Sequence, residues 1–90
     1  MTIEYGSPDQ MWIDVHSMEI RHEVRVYGAA VRCRIAPQAI DDRFGVSKTD
    51  ADRLAAAQQH FDQITDRWGL LIQQGRFQPD GSVLVDSANW

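Results

Sequence analysis

TDADRLAAAQQHFDQITDRWGLLIQQG, residues 49–75, carries apolar side chains at Leu54, Ala57, Phe61, Ile64, Trp68 and Leu71. That three-four repeat is the period of an amphipathic helix. With Ile72 these residues share one stripe, and Gln59, Asp62, Gln63, Asp66 and Gln73 occupy the opposite face. Thr49 is suited to cap the helix, Asp50 and Asp52 oppose the positive end of its dipole, and Gly75 closes it. Two residues break the pattern. Gly69 costs about 1 kcal/mol relative to alanine inside a helix, and Leu70 points off the stripe. Read as one rod of about 26 residues, the helix is roughly 39 Å long. A strand of about eight residues spans only about 26 Å, so one end overhangs the sheet. Leu70, near that end, is a candidate oligomer contact in a two-fold dimer.

The chain before this helix alternates with period two. Ile3 and Tyr5 flank Glu4 in a short edge strand, and Gly6, Ser7 and Pro8 follow as loop chemistry. Met11, Ile13 and Val15 then alternate with Trp12, Asp14 and His16. From Glu19 to Tyr27 the inward set is Ile20, His22, Val24 and Val26; from Ala30 to Ile35 it is Val31, Cys33 and Ile35. Gly28-Ala29 reads as a two-residue turn with glycine first. That turn places Val26 opposite Val31, Val24 opposite Cys33 and His22 opposite Ile35 on the inner face. On the outer face it places Glu23 opposite Arg34 and Arg25 opposite Arg32, the latter a like-charge pair. Pro37 opens a short helix that Gly45 ends, and Val46-Ser47-Lys48 links it to the long one. Phe77-Gln78-Pro79-Asp80-Gly81 is a turn, and Val83, Leu84 and Val85 form a last strand. The expectation is an α+β fold: an antiparallel meander, a short helix, a long amphipathic helix on one sheet face and a C-terminal strand. Residues 1–90 form one domain, with 1–10 and 87–90 the looser ends, where Trp90 either docks or frays.

The net charge is -4 over 90 residues, with apolar residues at 43% and charged ones at 24%. This is an ordinary globular composition. An acidic chain lacks the basic footprint that phosphate backbones select, so nucleic acid is not the expected partner. Cys33 is the sole cysteine; it reads as a small buried hydrophobe in a reduced, cytoplasmic setting. No signal peptide and no membrane span are visible.

The run Val31-Arg32-Cys33-Arg34-Ile35-Ala36-Pro37-Gln38-Ala39-Ile40 resembles the strand-into-helix segment of a short bacterial family of uncharacterised proteins, domain of unknown function fourteen-eighty-eight. So does the later set Phe61, Arg67, Ile72, Gly75, Asp80-Gly81 and Val83-Leu84-Val85. The resemblance covers residues 19 to 88. It implies a small α+β fold and a bacterial origin, and brings no catalytic residue with it.

Candidate chemistry is sparse. His16, His22 and His60 lack the spacing of a metal helix, and His22 reads as a core-edge histidine rather than an acid–base group. Asp62 and Asp66, one turn apart, read as a solvated face rather than a cation site. No cofactor, metal ligand or catalytic residue is expected. Arg21, Arg25, Arg32 and Arg34 share the outer face of the hairpin, and with Glu19 and Glu23 they give the segment a local charge of +2. They are the candidate surface for a protein partner, for self-association, or for an anionic ligand or RNA. The functional expectation is a non-enzymatic interaction or regulatory module, homodimeric, ahead of an RNA- or anion-binding module and of an enzyme.

Overall fold

A computed structural model describes residues 2–45 and 49–90, so the expected linker Val46-Ser47-Lys48 lies outside the described residues. The elements run β1 (Ile3–Glu4), a 3-10 turn (Pro8–Gln10), β2 (Trp12–Ile13), β3 (Ile20–Val26), β4 (Ala29–Ile35), α1 (Pro37–Phe44), α2 (Asp50–Gln59), α3 (Phe61–Gln73) and β5 (Val83–Val85). β1 and β2 both pair antiparallel with the same edge of β3, β3 pairs antiparallel with β4, and β5 joins β4 in parallel. A parallel partner needs a crossover, and the three helices between β4 and β5 supply it. The α+β expectation holds, and the expected edge strand at the N-terminus is present. The strand expected from Met11 to His16 is confined to Trp12–Ile13, because residues 14–18 fold into the turn that feeds β3, with the Met18 amide donating to the Asp14 carbonyl.

The hairpin turn is one residue earlier than expected. Tyr27 and Gly28, at φ 51° and 82°, form the two-residue loop, so Val26 meets Ala29, Val24 meets Val31, His22 meets Cys33 and Ile20 meets Ile35. Two positive φ values are the type I′ geometry that matches strand twist. The shift moves the partners by two positions, so every side chain keeps its face and only its opposite number changes. The observed register pairs two fully buried isoleucines, Ile20 and Ile35. The expected one would have set Ile20 against Pro37, which has no N–H to give a ladder.

The helix read as a single rod is two. Thr49 caps α2 through Asp52 N–H···Oγ1 at 3.2 Å, as expected, but His60 leaves helical geometry at φ -104°, ψ 29°. The apolar stripe is continuous across the break, yet its halves face different neighbours. α2 packs on α1, the 3-10 turn, β2 and β3, while α3 packs on β5. At the break the His60 ring stacks flat on Phe44 of α1 with centroids 4.1 Å apart. In place of the single rod of about 26 residues stand helices of ten and thirteen residues. Arg53 ties α2 to α1 through both Asp41 carboxylate oxygens, at 2.9 and 2.8 Å.

The core joins Ile20, Val24, Cys33, Ile35, Val83 and Val85 of the sheet to Ile40, Ala57, Ile64, Trp68, Leu71 and Ile72 of the helices. Trp68 is fully buried. Its indole N–H donates to the Arg34 carbonyl at 3.0 Å, and its ring stacks on His22, 6.0 Å away. Gly69 now has a reason. A Cβ there would lie 2.2 Å from the Tyr5 hydroxyl oxygen, so the glycine lets the N-terminal segment lie against α3. At the other end Trp90 docks, its ring edge-on to Phe44 at 5.5 Å and beneath the Arg43 guanidinium.

Two substitutions test these local accounts by thermal or urea unfolding. Tyr27 is 73% exposed and sits where asparagine is favoured before glycine, so Tyr27→Asn is expected to stabilise by about 0.5 kcal/mol; a loss would contradict the type I′ turn. Gly69→Ala is expected to destabilise by about 1–3 kcal/mol despite its higher helix propensity. Tyr5→Phe, which removes the clashing oxygen, should recover much of that loss, and a Gly69→Ala protein as stable as the parent would contradict the contact.

Candidate functional site

The helices cover the inward face of the sheet. On its outward face β3 presents Arg21, Glu23 and Arg25, with Glu19 just before it, and β4 presents Ala30, Arg32 and Arg34. The four arginines expected on this face are all there, but the structure does not leave them equivalent. Because the register differs from expectation, Arg25 lies opposite Ala30, and the like-charge pair is Arg21 opposite Arg34. Glu19 resolves it. Its carboxylate accepts Arg34 Nε and Nη2 at 2.9 and 2.7 Å, and Arg21 Nε and Nη2 at 3.3 and 3.2 Å. Asp14 lies 3.5 Å from the other Arg21 nitrogen, and Arg34 Nη1 donates to Ser82 Oγ at 3.2 Å. Glu19 is only 7% exposed. Burial alone would raise its carboxyl, but the hydrogen bonds from Arg34 and Arg21 outweigh it and hold the group below the ordinary glutamate range.

Arg25 and Arg32 are the outward arginines left toward solvent. Arg25 donates to the Gly28 carbonyl at 3.2 Å and lies 3.8 Å from Glu23, both side chains about half exposed. Arg32 is exposed, and among the described residues it enters no ion pair.

A notch of about 460 Å³ opens beside them, lined by Glu4, Gly6, Gln10, Trp12, Glu23 and Arg25. Its origin is a mismatch in strand length. β1 ends opposite Arg25 and β2 begins opposite Arg21. Residues 5–11 therefore face only residues 22–24 of β3, and the surplus loops out through Gly6, at φ 71°, and the 3-10 turn. Trp12, 39% exposed, forms one wall. Sequence reading missed this site, since Glu4 and Trp12 sit in separate two-residue strands whose alignment on β3 no local pattern encodes.

The remaining candidates do not assemble into chemistry. His22 is buried; its Nε2–H donates to the Tyr5 carbonyl, and Nδ1 has no partner among the described residues. Phe61 and Trp68 close over its ring. Cys33, its cross-strand neighbour, has its thiol pushed up to about 12 by burial, which removes the thiolate that nucleophilic chemistry needs. Asp62 and Asp66 lie exposed on α3, and among the described residues no group of three metal-ligating side chains forms. Leu70, 40% exposed, borders a separate hollow with Arg43, Gln63, Asp66, Arg67 and Trp90 on the helical side.

Glu19 gives a pH signature. A carboxyl depressed by folding contributes stability above its unfolded value, near 4.5, and loses it as pH falls through the lower folded value. Glu19→Gln is expected to cost about 3 kcal/mol at neutral pH. That gap from the parent should close as acid titrates the carboxylate; a gap independent of pH would contradict the pairing.

Among the described residues no helix is long and apolar enough to cross a membrane. No curated protein matches the chain. A solved structure, the crystal structure at 1.60 Å of a protein of unknown function from the DUF1488 family of Shewanella loihica PV-4, shares the fold with a TM-score of 0.83 at 20% identity, over 94% of each chain. The family described as "Protein of unknown function (DUF1488)" matches residues 8–85, and the chain belongs to that family.

Proposed function

We propose that the protein is a non-enzymatic interaction or regulatory module, that it works as a homodimer in the bacterial cytoplasm, and that its contact surface is the outward face of the sheet. The observation that carries this reading is the one-sided layering. α1, α2 and α3 stand over the inward face, which supplies the core, while the outward face offers Trp12, Arg25 and Arg32 to solvent. Tryptophan and arginine are the side chains that most often anchor protein interfaces. The buried free thiol of Cys33 suits a reducing compartment.

The alternative, RNA or another anionic ligand held by Arg21, Arg25, Arg32 and Arg34, has less support. Glu19 occupies two of the four guanidiniums and Glu23 stands beside a third. That is a small footprint for a phosphate backbone on a chain of net charge -4. A contact through Leu70 would use the helical side instead.

Light scattering at micromolar concentration tests the reading. The expected mass is twice the 10.3 kDa of one chain, falling toward one chain in Trp12→Ser and unchanged in Leu70→Lys. A parent mass of one chain would contradict it, as would a dimer lost in Leu70→Lys and kept in Trp12→Ser. Salt-sensitive binding of single-stranded RNA, abolished by Arg25→Ser with Arg32→Ser, would replace it with the anionic reading.

A further inference from the structure

The notch between β1 and β2 and the exposed Arg32 lie on one face and are opposite in charge. Glu4 and Glu23 outnumber Arg25 in the notch lining. Arg25 is drawn toward the hairpin turn by the Gly28 carbonyl and holds Glu23 only loosely, at 3.8 Å. Among the described residues Glu4 enters no ion pair, and neither does Arg32. The notch thus presents two carboxylates with spare acceptor capacity beside the partly exposed Trp12 indole. A guanidinium suits that lining, since its planar fork matches carboxylates and its face stacks on an aromatic ring.

Arg32 stands on β4, directly across β3 from the notch, with Glu23 as its cross-strand neighbour. Two strand spacings, about 10 Å, separate its backbone from the edge formed by β1 and β2. No ion pair joins Arg32 to Glu23 within the chain. Two such faces brought together about a two-fold axis lying between the sheets set each Arg32 over the other copy's notch, so one chain carries both halves of a self-complementary contact. Sheets stacked in this way lie about 10 Å apart, and the notch adds depth where the side chain enters.

We infer that the notch receives the Arg32 guanidinium of a second copy, between Glu4 and Glu23 and against Trp12, twice in each dimer. The inference rests on the reading of the outward face as a homodimer surface and names the residues that would set its geometry. The four-residue surplus between β1 and β2 then has a role: it builds the recess that the partner's arginine fills.

Sedimentation equilibrium on the full chain separates this pairing from the broader reading. Arg32→Glu and Glu4→Arg, both exposed sites, should each weaken dimerisation by roughly tenfold or more, with the fold unchanged by circular dichroism. The double variant Glu4→Arg/Arg32→Glu, with the charges exchanged, should recover much of the lost affinity. A monomeric parent overturns both the pairing and the homodimer. A parent dimer whose affinity Arg32→Glu leaves unchanged overturns the pairing alone, and so do two weakened single variants whose combination recovers nothing.

Discussion

Arg34 is the joint on which the layers meet. Its guanidinium grips both oxygens of Glu19 at the start of β3 and reaches Ser82 just before β5. Its carbonyl accepts the indole N–H of Trp68 from α3. One residue therefore joins both neighbouring strands of β4 on the outward side and the main helix on the inward side. A bidentate, largely buried arginine–carboxylate pair leaves little freedom of position, and removing either partner strands a charge in a site with little water.

Several features follow from that joint. Glu19 stands at the origin of β3, so fixing it to Arg34 fixes the hairpin register, and with it the pairing of Ile20 with Ile35 beneath. Trp68, held to the backbone of the same residue, sets the height of α3 above the sheet. His22 is then enclosed between Trp68 and Phe61 with one nitrogen satisfied. The arginines that look like a ligand surface in the sequence are divided by the same geometry: Arg21 and Arg34 hold the sheet together, and Arg25 and Arg32 face outward.

Much of this was legible in the sequence, and the limits are physical. Period-two and three-four patterns located β3, β4, α1 and the apolar stripe, because burial on one face dictates them. Thr49 and the turn at residues 78–81 were readable from local chemistry. The hairpin register was not. Gly28 marks a turn, but Tyr27 in left-handed geometry is an unusual occupant, and its place is decided by pairings at the far end of the strands. The break at His60 was also hidden, since no proline or glycine announces it and the stripe runs straight through. Gly69 reads as a flaw in a helix from local sequence, and its reason is Tyr5, 64 residues away, which lies against it. The notch lay beyond local reading for the same reason: it arises from how two short strands align on a third.

The division of the arginines depends on register above all. In a two-residue type I′ hairpin with Tyr27-Gly28 at its tip, the outward residues form the non-hydrogen-bonded pairs, whose α-protons come close together. A nuclear Overhauser spectrum of the folded protein reads this directly. The account predicts strong cross-peaks between the α-protons of Arg21 and Arg34, Glu23 and Arg32, and Arg25 and Ala30. Strong cross-peaks instead between the α-protons of Val26 and Val31, Val24 and Cys33, and His22 and Ile35, the non-hydrogen-bonded pairs of a Gly28-Ala29 turn, would place the chain in the other register, release Arg34 from its role as the joint, and contradict the account.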